Sequence, residues 1–228
     1  MPTTETRKWR FKGPEMEGAV ARWYARLRST NSQIEVCRKQ ASRLTAGLPY
    51  GADVLEVAPG PGYLAIEMAR SGRFHVTGLD ISHTFVEIAG RNAQEEGVSV
   101  DFRRGDVAGM PFADGSFDLI ACQAAFKNFT LPLKALAEMH RVLRVGGIAV
   151  IQDMCRDASH ADIEDEVKRM EVGRVSAFTT MATLEMLKRR AYSTAQFERL
   201  VSDSPFHTCQ IAADGIGIEV RLHKEETK

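Results

Sequence analysis

The chain reads as an α/β fold built around a largely parallel sheet that ends in an antiparallel strand. Three observations predict this. Short apolar runs alternate with stretches of helical periodicity between residues 53 and 153, a glycine- and proline-rich turn follows the first run, and a tight turn near the C-terminus joins two more runs. Strand–helix alternation implies right-handed crossovers and a sheet buried on both faces, and so short a final turn implies an antiparallel hairpin.

Residues 15–46 predict two helices. Met16, Val20, Trp23, Tyr24 and Leu27 recur at helical spacing, and the stretch from Ile34 to Leu44 does so after Asn31 and Ser32. The period then changes. DVLEV (53–57) is the first strand, and the segment from Tyr63 to Ser71 is helical. HVTGLD (75–80) is the second strand, and Ser82 caps a helix to about residue 96. SVDFRR (99–104) is the third strand. After a turn at Asp114-Gly115, FDLIAC (117–122) is the fourth. Leu133, Leu136, His140 and Leu143 stripe the next helix, Gly146-Gly147 is expected to stop it, and IAVIQD (148–153) is the fifth strand. Residues 160–190 read as helical but irregularly apolar. A helix from Thr194 to Ser202, FHTCQIA (206–212), a turn at Asp214-Gly215 and IGIEVRLH (216–223) complete the chain.

Composition narrows the function classes. The 228 residues suffice for one α/β domain, and 30 basic residues balance 30 acidic ones. That balance removes the broad attraction on which nucleic-acid binders rely. The four cysteines, Cys37, Cys122, Cys155 and Cys209, form no C-x-x-C pair, so neither a zinc site nor a disulfide framework is expected. The opening stretch TTETRKWRFKG has no apolar segment of the kind that directs secretion. A cytoplasmic protein is the simple expectation.

The densest chemistry is EVAPGPGYLAIEMA (56–69), where Gly60 and Gly62 sit at a strand-to-helix reversal. Glycine there permits positive φ and close approach of a ligand to the backbone, and the helix N-terminus behind it is electropositive. Asp80 ends the next strand, placed to accept hydrogen bonds from a ribose diol at roughly 1.5–3 kcal/mol each. Taken alone, Gly60-x-Gly62-x-x-Ala65 with its distal acid fits either NAD or S-adenosylmethionine. Glu56 is balanced between cofactor contact and loop structure.

RRGDVAGMPFADGSFDLIACQAAF (103–126) resembles the class I S-adenosylmethionine-dependent methyltransferase signature. In that signature a Gly-Asp pair ends the third strand and a Pro-Phe-x-Asp-x-Ser-Phe-Asp run enters the fourth. EMHRVLRVGGIAVIQD (138–153) resembles the family's next helix-to-strand passage. With EVAPGPG and GLDIS (78–82), the likeness spans about residues 53–153 and looks closest to small-molecule methyltransferases, including those of quinone biosynthesis. It implies a Rossmann-like sheet of seven strands, mostly parallel with an antiparallel last strand, and helices on both faces.

The resemblance also implies one domain over 1–228: a helical lid (1–48), a cofactor core (53–153), a substrate-side helical insert (154–192), and a C-terminal helix with hairpin (193–228). Gly60 and Gly62 would pass under the methionine and ribose. Asp80 would hold the ribose hydroxyls, with Ile81 against adenine. Asp106 and the Val107 N–H would meet the adenine ring, and the Gln123 carbonyl the methionine ammonium. Ala58 replaces the family's first loop glycine, and Arg144-Val145-Gly146-Gly147 replaces its Lys-Pro-Gly-Gly.

The sulfonium already activates its methyl group, so direct in-line displacement is expected, with orientation supplying about 7–11 kcal/mol. Lys127, Asn128 and His160 are the candidate catalytic groups. Relatives often carry His-His where Lys127-Asn128 stands, which puts the family base in doubt. Asp114 and Asp118 are expected in turn and strand geometry, and His140 in helix packing. Trp23, Tyr24, Phe126 and Asp153 are candidate substrate contacts, the first two through cation–π closure over the sulfonium or as a packing stripe. The expected partner is a small-molecule substrate, without metal, nucleic acid or membrane, and a homodimer stays open. An NAD-dependent oxidoreductase, a nucleic-acid methyltransferase, a catalytically idle cofactor-binding protein, and a metalloid methyltransferase using Cys37, Cys155 and Cys209 are the alternatives.

Overall fold

A computed structural model describes residues 16–170 and 173–226. Seven strands form one sheet in the order β3-β2-β1-β4-β5-β7-β6. They are β1 (Asp53–Val57), β2 (His75–Asp80), β3 (Asp101–Arg104), β4 (Phe117–Gln123), β5 (Leu143–Met154), β6 (Gln210–Asp214) and β7 (Gly217–His223). The first five are parallel, and β7 runs antiparallel to both β5 and β6. The expected Rossmann-like sheet, seven strands mostly parallel with an antiparallel last strand, is what the chain forms.

Helices cover both faces. On one lie α2 (Asn31–Leu44), α3 (Tyr63–Ala69) and α4 (His83–Glu95). Ala41 and Leu44 of α2 pack with Val54, Leu64, Met68, Leu119 and Val150. Thus α2 belongs to the core layer and not to a lid over it. The opposite face carries α5 (Pro132–Val142) and α8 (Thr194–Ser202), whose Leu136, Met139, Phe197 and Val201 join Leu55, Ile120 and Ile151. Burial of such side chains is worth about 1.5–3 kcal/mol each and fixes the layers.

Helix α1 (Gly18–Arg28) crosses the N-termini of α3 and α4. Ser82 Oγ donates to the Met16 carbonyl, Gly18 N–H to Thr84 Oγ1, and Tyr63 OH to the Ala25 carbonyl. Beyond β5, α6 (His160–Arg169) and α7 (Arg174–Lys188) pack on one another.

Two expectations are corrected. Gly146-Gly147 does not stop α5, which ends at Val142; the pair lies inside β5, where pairing with β4 shifts register. A Cβ on Gly147 would sit 2.9 Å from both the Arg144 and Asp118 carbonyl oxygens, so the close approach requires glycine. The run 206–212 is also not all strand. Phe206 is buried in a turn, His207 takes φ +57°, and β6 starts only at Gln210.

Candidate active site

The sheet reverses its order between β1 and β4. Ligands of open α/β sheets bind outside the strands' C-terminal ends at such a point. The turn that follows β1 lies there. Gly60 has φ +55°, and a Cβ on it would meet nothing within 4 Å, so the space above is open. Gly62 has φ +83°, and a Cβ there would fall 2.7 Å from the Phe102 ring and 2.8 Å from the Ala89 Cβ. One glycine leaves room for a ligand, and the other lets α3 close onto its neighbours. Ala58 is left-handed at φ +55° despite its methyl group, and its N–H donates to the Leu79 carbonyl at 2.8 Å.

Two buried carboxyl groups meet this turn. Asp80 Oδ2 accepts from the Gly60 N–H at 3.0 Å, and Oδ1 from the Ser82 N–H at 2.8 Å. Burial pushes its acid up to about 6, against the pull of these N–H donors. Glu56 is 3% exposed, and its Oε2 has no hydrogen-bond partner. Burial pushes Glu56 up to about 8; the Ala65 N–H opposes this and the Asp80 charge adds to it. A buried carboxyl oxygen without a partner is costly and asks for a donor or cation. These features fit a cofactor with a diol and an ammonium.

Beside the turn, a slot is lined by Val57, Ala58, Leu79 and Ile81, by residues 105–108, and by 128–131. Asp106 Oδ1 accepts from the Ala108 N–H at 2.9 Å, which shapes the short turn holding Val107. The slot therefore brings Ile81, Asp106 and Val107 together. Asn128, a candidate catalytic group, lines the same slot. Gln123 closes β4, and Ala124 (φ +56°) turns the chain away by donating to the Gln152 carbonyl at 2.7 Å.

The acceptor-side expectations fare differently. Lys127 is buried, and its Nζ lies 2.6 Å from Asp153 Oδ1 while its N–H donates to Asp153 Oδ2. These two candidates, one catalytic and one substrate-binding, satisfy each other as a buried ion pair. Phe126 is fully buried, 5.2 Å from the rings of Phe129 and Phe197, so it is core and not a pocket wall. His160 is exposed on α6, where Glu185 and Glu164 hold its ring, linking α6 to α7. Trp23 is 60% exposed, whereas Tyr24 packs edge-on against Phe85 at 5.9 Å, so the two rings face different surroundings. Asp118 and Asp114 bind Arg144 and Arg141, and His140 packs on Phe206, all in structural roles.

The cysteines do not converge. Cys155 and Cys209 belong to the α5–α8 face, while Cys37 lies on α2 across the sheet, where burial pushes its thiol up to about 11.

Sequence reasoning missed two features. Residues 129–131 complete the slot but carry no motif. A polar chain also ties α2 to the sheet: Gln40 bonds Gln152, Gln152 donates to Glu219 at 2.6 Å, and Arg43 pairs with Glu219. Gln123, Gln152 and Glu219 are register partners across β4, β5 and β7, a relation visible only once the strands are paired.

Known proteins resemble this chain in part of its sequence and in its fold. Residues 55–151 match the family described as "Methyltransferase domain". The chain is 36% identical over 107 residues to the demethylmenaquinone methyltransferase of Deinococcus radiodurans, covering 46% of this chain and 44% of that one. It is 37% identical over 107 residues to the ubiquinone/menaquinone biosynthesis C-methyltransferase of Bdellovibrio bacteriovorus, covering 46% of each. The chain thus spans under half the length of these relatives. A solved structure from Methanococcus maripaludis, assigned as an S-adenosyl-L-methionine-dependent methyltransferase, superposes with a TM-score of 0.72 at 19% identity. It covers 92% of this chain and 94% of the other, and shows that the fold is shared.

Proposed function

We propose that the protein transfers a methyl group from S-adenosylmethionine to a small-molecule acceptor, a reading supported by the match of residues 55–151 to the family described as "Methyltransferase domain". The acceptor class we propose is an electron-rich quinol-type ring attacked through carbon, as the names of the curated relatives point to. One observation carries the reading: the Glu56 carboxyl, with one oxygen unpartnered, and the buried Asp80 flank an open glycine turn at the sheet's switch point.

In this reading Asp80 accepts from the ribose hydroxyls while Gly60 leaves room for the chain to pass. Ile81, Asp106 and Val107 hold the adenine in the slot, with Asn128 and Leu131 closing its far wall. Glu56 and the Gln123 carbonyl receive the ammonium. The bound cofactor supplies a methyl group already activated on sulfur, so the protein's work is to bind, orient and exclude water. In-line placement of the acceptor is worth about 7–11 kcal/mol. Lys127 is committed to Asp153 and His160 to two glutamates, so neither supports the role of general base. An acceptor whose own hydroxyl acidity activates the ring carbon fits that arrangement best.

The test is transfer of labelled methyl from S-adenosylmethionine to short-chain demethylmenaquinol and to a panel of hydroxylated aromatics. Label on a ring carbon, lost in Asp80→Ala, is expected. Tight binding of S-adenosylhomocysteine with no transfer to any of them would favour a cofactor-binding protein without this activity.

A further inference from the structure

The balanced charge of the whole chain hides an uneven distribution. Residues 1–28 contain seven basic side chains and three acidic ones, and residues 7–12 read RKWRFK. Helix α1, which follows, carries Arg22, Arg26 and Arg28 and no acidic residue.

The structure shows how α1 presents itself. Ala21 and Ala25 are buried against Phe85 and Ile88, with Tyr24 packed beside them. On the outward side, Val20, Trp23 and Leu27 are 45%, 60% and 53% exposed. Their i, i+3, i+7 spacing places them in one stripe along the helix. Arg22 and Arg26, both exposed, run along the edge of that stripe. Contacts to Thr84, Ser82 and Tyr63 fix the helix in this orientation, so the stripe is not a packing face awaiting α4. α1 lies at the same edge of the sheet as the glycine turn, across the helix N-termini that follow β1 and β2.

We propose that α1 docks the protein on an anionic phospholipid surface, with Val20, Trp23 and Leu27 entering the headgroup–acyl boundary and Arg22 and Arg26 bound to lipid phosphates. An apolar stripe bordered by arginines and containing a tryptophan is the pattern of a helix lying in a membrane interface. The neighbouring basic residues strengthen attraction to an anionic leaflet. The aliphatic residues decide between occupants: Val20 and Leu27 gain nothing from stacked bases, whereas a bilayer buries them. A second copy would set Arg22 and Arg26 against the same arginines. Such docking concerns the surface of a membrane only; no helix among the described residues is long and apolar enough to cross one. The proposal departs on this point from the sequence-based expectation of no membrane partner.

The full chain should be sedimented with vesicles of phosphatidylcholine and with vesicles carrying phosphatidylglycerol in roughly a two-to-one mixture. Binding at least about ten-fold stronger to the anionic vesicles, and weakened by added salt, is expected. Trp23→Ser/Leu27→Ser and Arg22→Gln/Arg26→Gln should each lose it. Far-ultraviolet circular dichroism and the thermal midpoint, measured on the same samples, should match the wild type and report that the variants are folded. The proposal is overturned if the wild-type chain ignores anionic vesicles, or if both variants bind as before. Salt-sensitive binding to a short RNA that depends on the arginines but not on Trp23 and Leu27, without vesicle binding, would assign the face to nucleic acid. A dimer lost only in the Trp23/Leu27 variant, again without vesicle binding, would assign it to a second copy. The assay uses neither methyl donor nor acceptor, so its outcome is separate from that of the methyl-transfer reading.

Discussion

Glu56 and Asp80 illustrate how one residue ties stability to ligand binding. A carboxyl whose folded pKa is raised holds a proton that the unfolded chain has released, so its contribution is complete below the unfolded value and declines as pH rises to the folded value. For Glu56 that window runs from the ordinary carboxyl value of 4.5 up to about 8. The ligand-free protein should lose stability across it by as much as about 1.4 kcal/mol per pH unit. Glu56→Gln, followed by denaturant titration from pH 5 to 8, should flatten that slope and leave the variant more stable than wild type at pH 8. A slope unchanged by the substitution would mean that Glu56 is not held neutral. Ala58 poses the complementary case. Its left-handed φ of +55° costs about 1–2 kcal/mol for a residue with a Cβ, partly offset by the greater chain entropy of glycine. Ala58→Gly is expected to raise stability by up to about 1 kcal/mol, and a fall in the denaturation midpoint would contradict this.

At the scale of elements, the glycine turn works only because α3 closes tightly onto β3 and α4. Gly62→Ala adds a Cβ 2.7 Å from Phe102 at a positive φ, and should cost about 1–3 kcal/mol with loss of cofactor binding. The joint between β4 and β5 depends on the buried Lys127–Asp153 pair. Lys127→Met strands the Asp153 charge and should cost about 3–5 kcal/mol, whereas Lys127→Met with Asp153→Leu should recover much of it. Equal losses in both variants, read from chemical denaturation, would mean that the pair's geometry matters more than its charge. Much of this level was legible in the sequence. DVLEV and HVTGLD match β1 and β2 to the residue, because each is a short run with β-branched residues that closes at a turn or helix cap. The glycines at 146–147 misled because a helix stop and a strand bulge use the same residue. Phe206 misled because a buried turn is as apolar as a strand. The Lys127–Asp153 pair, joining residues 26 positions apart, has no local signal at all.

At the scale of the whole molecule, strand order is what gathers Glu56, Gly60, Asp80 and the 105–108 turn at one edge of the sheet. The residues proposed for the cofactor could be named from the sequence because their motifs follow one another along the chain. The acceptor-side candidates could not be placed together from sequence, because Trp23, Phe126 and His160 sit on elements whose surroundings depend on packing between distant segments. The central claim, that this edge is a site for S-adenosylmethionine, is tested most directly by thermal unfolding with S-adenosylhomocysteine and with NADH, in wild type and Asp80→Ala. At a hundredfold excess over its Kd a ligand adds about 2.7 kcal/mol, or roughly 5–11 °C in Tm for a chain of this size. The account predicts such a rise with S-adenosylhomocysteine, none with NADH, and its loss in Asp80→Ala. A rise with NADH alone would contradict it.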